Sequence, residues 1–211
     1  MKFYIYVIIA VILFLLLVYL CFARQINTFI VTKQGKKRIQ KKLYNACKLE
    51  NYLIMSDLHL NIDENRYKRV DTIIIGNKYI YITKELLNKG KIIVNENDLK
   101  WRIINNDNLI NIDNPFLYND RIINRIHDVM KKLDHNRIIN LVVTSYMSTI
   151  EEKNKSHIGY VINENDVIDF IKDFEDKSPL SEMDDKTQEN IAVNFYNAGM
   201  KNEKIIKNYK K

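Results

Sequence analysis

The chain has 211 residues, a formal net charge of +7 and two cysteines. Two cysteines exclude a disulfide-stapled scaffold, and no Cys-x-x-Cys or histidine-rich spacing indicates a zinc module. The first 49 residues carry nine Lys or Arg and no acidic residue, whereas residues 50–200 carry nineteen basic and twenty-five acidic residues. The positive charge therefore lies at the ends of the chain, and by itself it does not indicate a nucleic-acid-binding body.

Residues 3–22 form an uninterrupted apolar stretch, FYIYVIIAVILFLLLVYLCF, without charge, Gly or Pro. A helix of this length is about 30 Å long, which matches the hydrocarbon core of a bilayer. A cleaved signal peptide has a shorter apolar core and a small-residue cleavage site, and this stretch has neither. The sequence therefore predicts an uncleaved transmembrane helix at residues 3–22.

Basic residues follow the predicted span but barely precede it, since only Lys2 stands before it. The basic residues that follow are Arg24, Lys33, Lys36, Lys37, Arg38, Lys41, Lys42 and Lys48. Such residues stay on the cytoplasmic side, which predicts a single-pass cell-membrane protein with its N-terminus outside and its domain in the cytoplasm. Residues 23–32 are the predicted juxtamembrane linker, and the lysines after them are expected to contact the anionic lipid surface.

Helices and short strands are predicted beyond this linker. In chain order they are a helix at 35–51, a strand at 52–60, a hairpin of 70–75 and 79–83, strands at 91–94 and 99–104, a helix from 114 to about 133, strands at 137–144 and 157–162, and helices at 166–174 and 181–198. This order predicts an α/β fold with a mixed, mostly antiparallel sheet flanked by helices. A boundary near residues 177–179 divides a main domain, 33–176, from a C-terminal helical appendage with a Lys-rich tail, 177–211.

Several weak signals occur in a characteristic order along residues 33–146. They are Gly35 before the apolar positions Ile39 and Leu43, Val70-Asp71 in a strand, Lys89-Gly90 after the next strand, Trp101, Asn114-Pro115 with Asn119, and the strand Leu141-Val142-Val143. This set resembles the nuclease-related domain (NERD) family, a branch of the restriction-endonuclease-like superfamily. The resemblance implies a central sheet flanked by helices.

The resemblance also implies a catalytic motif, consisting of an early Glu after the helix-opening Gly, an Asp, and a Glu-x-Lys strand. In nucleases of this type carboxylates hold a divalent metal that activates water and stabilises charge on the phosphate. In this chain the early Glu position is Lys36, whereas Asp71 is present.

The remaining motif positions depend on the turn between the two hairpin strands. If the loop has three residues, Asp71 faces Thr83, so that Thr83 replaces the Glu and Glu85 replaces the Lys. If the loop has two residues, Asp71 faces Lys84, so that Lys84 replaces the Glu and Leu86 replaces the Lys. Neither alternative restores the motif.

The three-residue alternative leaves one possible metal site. It puts Asp71 and Glu85 on one sheet face as diagonal neighbours about 7–8 Å apart, where they could share a metal. The other interpretation is that both are solvated strand residues. Five polar residues have no potential partner at a spacing typical of a metal or catalytic site, and they are interpreted as ordinary surface or core residues. They are His59, His127, His135, Ser145 and Ser148.

The sequence thus predicts a membrane-anchored, cytoplasm-facing NERD-like domain with a degenerate catalytic centre, no cofactor, and a binding or scaffolding role. Its predicted partners are the bilayer and either nucleic acid or another membrane-associated protein. One alternative is an active nuclease that uses Asp71 and Glu85 to hold Mg²⁺ or Mn²⁺ and cleaves DNA or RNA. The second alternative is a structural module for membrane protein interactions.

Overall fold

The computed structural model describes residues 2–63, 66–105, 108–130, 133–153 and 156–209. Within these ranges, side chains are described except those of residues 2–5, 7–10, 20–33, 61–67, 129 and 198–209.

The described residues form a mixed α/β fold with two sheets and five helices, which confirms the coarse fold prediction. The helices are α1 (Lys2–Leu49), α2 (Pro115–Val129), a short 3-10 helix (His135–Arg137), α3 (Val167–Asp176) and α4 (Asp185–Tyr209). The strands are β1 (Leu53–Asp63), β2 (Arg66–Ile75), β3 (Ile80–Leu86), β4 (Gly90–Val94), β5 (Lys100–Asn105), β6 (Asn108–Asp113), β7 (Ile138–Thr144), β8 (Ser148–Glu152) and β9 (Tyr160–Asn163).

The first sheet has five strands in the order β1-β2-β3-β7-β9. Strands β1, β2 and β3 are antiparallel neighbours, whereas β3, β7 and β9 run parallel. The second sheet has four strands in the order β6-β5-β4-β8, and only β4 and β8 are parallel in it. Strand β4 follows β3 in the chain, and β8 follows β7. The two chain segments that pair in the first sheet, as β3 and β7, therefore also pair in the second sheet, as β4 and β8.

Helices cover both faces of the five-stranded sheet. Successive side chains of a strand point to opposite faces, so the β2–β3 hairpin supplies two separate apolar clusters. The cluster toward α2 and α4 includes Ile73, Ile75, Ile80 and Ile82. The cluster toward α1 and α3 includes Ile74, Tyr79 and Tyr81.

The C-terminal half of α1 belongs to this core. Ile39, Leu43 and Cys47 recur at the spacing of one helix face and are buried against the sheet. Burial raises the pKa of the Cys47 thiol to about 12, because the thiolate would lose its hydration. The predicted amphipathic helix at 35–51 is therefore confirmed, although its last helical residue is Leu49.

Helix α1 also includes the span predicted at residues 3–22 and the segment 23–32. Half of the side chains of that span, those of residues 3–5, 7–10 and 20–22, lie outside the described residues. In the part of the chain that the structure describes, no helix is both long enough and apolar enough to cross a membrane. The predicted transmembrane helix is thus not supported by the structure.

Two strands, β6 and β8, were not predicted from the sequence. Strand β6 is an exposed edge strand whose residues are half asparagine or aspartate, and β8 ends in two glutamates. Such strands lack the alternation of apolar and polar residues that marks a half-buried strand. They form because each has a partner, β5 and β4 respectively, that already packs in the core.

The C-terminal helix begins and ends later than predicted. Its first residue is Asp185, and the side chain of Asp184, not Ser181, accepts the backbone N–H of Thr187. The helix continues through Gly199 to Tyr209. Met183, Ile191 and Phe195 are buried in the cluster with α2, so this helix packs on the sheet beside β1.

Candidate functional site

The candidate site lies at the open end of the β2–β3 hairpin. Ladder pairing between these strands ends at Thr72 opposite Thr83. The next residues are Asp71 and Lys84, and the Lys84 Nζ lies 3.0 Å from Asp71 Oδ2. The two-residue loop alternative is therefore confirmed, and the three-residue alternative, which paired Asp71 with Thr83, is wrong.

The turn itself explains this register. The Gly76 N–H donates to the Tyr79 carbonyl oxygen over 2.9 Å, which leaves Asn77-Lys78 as the two-residue loop. The Asn77 N–H donates to the buried carboxylate of Glu175 at 3.0 Å. A Cβ at Gly76 would lie 2.0 Å from Glu175 Oε1, so a larger residue there would displace the carboxylate that accepts from the turn.

Asp71 is 7 % exposed and faces three cationic side chains. Besides Lys84, the Nζ of Lys36 and the Nη2 of Arg69 each lie 3.7 Å from its Oδ1. The backbone N–H of Glu85 donates to Oδ2 over 3.2 Å. These groups satisfy the carboxylate from both sides, as a buried charge requires.

Asp57 shares two of these cations. Its Oδ1 is 2.5 Å from the Lys36 Nζ and 2.7 Å from the Arg69 Nη2, and its Oδ2 accepts from Gln40 at 3.4 Å. Its backbone φ is 61°, in the left-handed region that aspartate enters more readily than most residues. Asp57 and Asp71 together therefore join α1 to β1 and β2 through Lys36.

Glu85 is 8 % exposed and lies beside this ion-pair cluster. Thr72 Oγ1 donates to its Oε1 over 2.9 Å, while its Oε2 is buried and has no hydrogen-bond partner among the described residues. Burial, and next the negative charge of Asp71, raise the pKa of Glu85 to about 7. Glu85 is thus the carboxyl group here that gains and loses a proton near neutral pH.

Helix α2 contributes an aromatic ring to the same cluster. The Nζ atoms of Lys68 and Lys84 lie 4.5 Å and 4.3 Å from the centre of the Tyr118 ring, within cation–π distance. The Tyr118 hydroxyl donates to the Arg69 carbonyl oxygen at 2.8 Å. Burial and the negative charge of Asp71 raise the pKa of Tyr118, so its phenol stays protonated.

These residues do not fit the divalent metal that the resemblance implies. The prediction that Asp71 and Glu85 lie on one face of the sheet depended on the wrong register. In the observed register the Glu85 side chain lies on the α1 side of the sheet, where it accepts from the Thr72 hydroxyl. A hard cation needs several oxygen ligands, but the ammonium groups of Lys36 and Lys84 already contact Asp71. Among the described residues, no group of three or more His, Cys, Asp and Glu side chains could hold a metal ion.

A second polar cluster lies where β7 and β9 end. Glu164 is 3 % exposed and accepts from the Arg38 guanidinium at 3.1 Å and 3.3 Å. The same guanidinium lies 4.4 Å from the centre of the Tyr146 ring and 3.4 Å from Ser145 Oγ. This cluster could not be predicted from the sequence, because 126 positions separate Arg38 from Glu164 and no local spacing links them.

The isolated histidines and serines have ordinary structural surroundings, with one exception. His59 lies in β1 opposite Arg69, and Ser148 donates to a backbone carbonyl. The exception is the contact between His127 and His135, whose ring centres are 3.7 Å apart. Burial and the neighbouring His135 lower the pKa of His127.

Comparison with protein families gives one match. The family model described as nuclease-related domain matches residues 32–145, which is more than half of the chain. The matched range contains Lys36, Asp71 and Glu85, and it ends just after β7. No curated protein and no solved structure matches the chain significantly.

Proposed function

Because the chain belongs to the nuclease-related domain family, we propose that it is a catalytically degenerate, membrane-tethered member that binds or scaffolds rather than cleaves. The observation that carries this proposal is the ion-pair cluster at Asp71. Its carboxylate, the family's motif Asp by resemblance, has its negative charge balanced by Lys36, Arg69 and Lys84.

The chemistry of metal-dependent cleavage explains why this cluster argues against catalysis. Such a nuclease needs an acidic pocket that binds a divalent cation and activates a water molecule. With the observed register, the resemblance implies that Lys84 replaces the Glu of the Glu-x-Lys pair and Leu86 replaces the Lys. It also implies that Lys36 replaces the early Glu. A metal at Asp71 would have to displace ammonium groups that are part of the chain itself. The cost of leaving the nearly buried Asp71 carboxylate without these partly buried cations opposes that exchange.

We expect the full-length chain, purified in a neutral detergent, to leave single-stranded and duplex DNA and RNA intact in the presence of Mg²⁺ or Mn²⁺. An Asp71→Ala variant should give the same background as the unchanged chain, because the carboxylate does no chemistry. The measurement is the release of labelled fragments over several hours. Cleavage that requires metal and disappears in Asp71→Ala would overturn the proposal in favour of the active nuclease.

The membrane tether is the second part of the proposal. It is supported first by the sequence of residues 3–22, which contains no charged residue. It is supported also by the side chains from Val11 to Tyr19, which lie on all sides of α1 and are 38–67 % exposed. An apolar surface around the whole circumference of a helix is stable in lipid rather than in water. The basic residues after the stretch would keep the domain in the cytoplasm.

This tether predicts that the protein stays in the membrane pellet after alkaline carbonate extraction. The double variant Leu13→Lys/Leu16→Lys should move it to the supernatant, because each lysine in a spanning helix costs about 2.5–3.5 kcal/mol. A matched control is Leu109→Lys/Ile110→Lys, which adds the same charge on the exposed strand β6. Equal release of both variants, or release of the unchanged chain, would contradict the tether.

A further inference from the structure

The docked half of α1 presents a cationic stripe to solvent. Lys37, Lys41 and Lys48 are exposed and recur at spacings of four and seven residues, which puts them on one side of the helix. Tyr44 lies between them on the same side and is 55 % exposed. This stripe, defined as the basic face of α1, points away from the buried positions such as Ile39.

The lysines of the basic face have no acidic partners among the residues that the structure describes. In the described ranges of the chain, no carboxylate lies within 4.0 Å of the Nζ of Lys37, Lys41 or Lys48. By contrast, Lys36 on the flank of the same helix pairs with Asp57 and Asp71. The basic face is therefore a positive field that the protein itself does not neutralise, which attracts a polyanion.

Distance along α1 distinguishes between two polyanions, the lipid surface and nucleic acid. At about 1.5 Å per residue, Lys37 lies roughly 22 Å and Lys48 roughly 39 Å beyond the end of the apolar stretch at residue 22. Attraction to an anionic leaflet fades within a Debye length, about 8 Å at physiological ionic strength. The juxtamembrane explanation therefore suits Arg24, whereas the lysines of the basic face lie too far along an unbroken helix.

Exposed aromatic rings accompany these charges. Tyr44 lies among the three lysines, and Tyr146, 51 % exposed, lies against the Arg38 guanidinium on the neighbouring side of α1. Arg38 is itself held by the buried Glu164, so the pair of flat groups is fixed in position. Cationic grooves combined with exposed rings bind single-stranded nucleic acid, because phosphates contact the cations and unpaired bases stack on the rings.

We propose that the basic face of α1 binds a single strand of nucleic acid, with phosphates on Lys37, Lys41 and Lys48 and a base stacked on Tyr44. This site is separate from the Asp71 cluster, and it deepens the proposed binding role by assigning its ligand and its surface. Binding needs neither Asp71 nor a metal ion. Tyr146 and Arg38 extend the same surface toward the ends of β7 and β9.

The test uses the full-length chain in neutral detergent and fluorescence anisotropy of a labelled mixed-sequence oligonucleotide of about 15 nucleotides, within the range of single-strand site sizes. The triple variant Lys37→Gln/Lys41→Gln/Lys48→Gln should bind at least 10-fold more weakly at low salt. The slope of log affinity against log salt should become shallower by about 2, since each phosphate contact on a single strand contributes about 0.7. The control, Lys89→Gln/Lys100→Gln/Lys153→Gln, changes the same charge at exposed lysines outside the face and should bind normally.

The stacking claim has its own variants. Tyr44→Ala should weaken single-strand binding about 5- to 100-fold, the usual effect of removing one base–aromatic stack, whereas Tyr44→Phe should preserve binding. Duplex of the same sequence should bind more weakly than the single strand. Equal loss in the two triple variants, or equal binding of single strand and duplex, would overturn the proposal.

Two further measurements separate this proposal from neighbouring ones. Asp71→Asn, which keeps the size of the side chain and an oxygen for the Glu85 N–H, should bind the oligonucleotide as the unchanged chain does. Loss of binding and the appearance of cleavage are therefore separate results. Retention of the detergent-solubilised chain on beads that carry phosphatidylserine compares the two lysine triples. If the basic-face triple lowers this retention but not oligonucleotide binding, the ligand is the lipid surface and the proposal is wrong.

Discussion

Replacing Glu85 with Gln should stabilise the protein by about 3 kcal/mol at pH 8 and have little effect at pH 4. Burial and the charge of Asp71 raise the pKa of this carboxyl from its ordinary value of 4.5 to about 7. Each pKa unit corresponds to about 1.4 kcal/mol of difference between the two protonation states. Gln keeps the acceptor for the Thr72 hydroxyl and removes the buried charge.

The sign of the pH dependence follows from linkage. Between pH 4.5 and pH 7 the folded protein retains a proton on Glu85 that the unfolded chain has released, so this group lowers stability as pH rises. The contribution of the Glu85 proton to the free energy of unfolding is complete below pH 4.5 and lost above about pH 7. The denaturation midpoint of the unchanged chain should therefore fall over this window relative to that of Glu85→Gln.

The measurement is the free energy of unfolding at several pH values, compared with the control Glu152→Gln. Glu152 is exposed at the end of β8, so its replacement should shift stability by less than about 0.5 kcal/mol at every pH. If Glu85→Gln behaves like this control, Glu85 is charged at little cost and the account of the site is wrong.

Replacing Trp101 with Ala should lower the free energy of unfolding by about 4 kcal/mol, the usual cost for a fully buried tryptophan. Trp101 is 1 % exposed, and its ring packs edge-on against Phe116 with the ring centres 5.1 Å apart. It lies in the cluster that holds the four-stranded sheet to α2 and β7. Its loss should open a cavity at this junction.

The control for that experiment is Trp101→Phe. Phenylalanine keeps an aromatic ring against Phe116 but loses the hydrogen bond from the Trp101 Nε1 to the Asn95 carbonyl oxygen, 3.0 Å in the structure. It should cost less than half as much as alanine, by thermal or chemical denaturation. An alanine variant as stable as the phenylalanine variant would show that the ring does not join the two sheets.

The elements that were predicted correctly carry their pattern locally. The docked part of α1 has buried residues at helical spacing, and the β2–β3 hairpin has two β-branched or aromatic runs around a short turn. Strand β6 could not be predicted, because four of its first five residues are polar or exposed and its conformation depends on pairing with β5. Pairing with a neighbouring strand, rather than the strand propensity of its own residues, determines the conformation of β6.

The candidate site was predicted only in part. The resemblance predicted Lys36 at an acidic position of the motif, but nothing in the sequence indicated that its ammonium group would reach both Asp57 and Asp71. That contact depends on the packing of α1 against β1. It also depends on the register of the hairpin, whose turn donates to Glu175 of α3, about a hundred positions away in the chain. Neither is encoded by spacing within any short segment.

The continuity of α1 has a mechanical consequence. The helix runs unbroken from Lys2 to Leu49, and its last three turns supply Ile39, Leu43 and Cys47 to the core. A force applied to the apolar end is therefore transmitted to the packed interior without a slack segment to absorb it. Tension on the apolar end of α1 therefore strains the same packing that joins this helix to the five-stranded sheet.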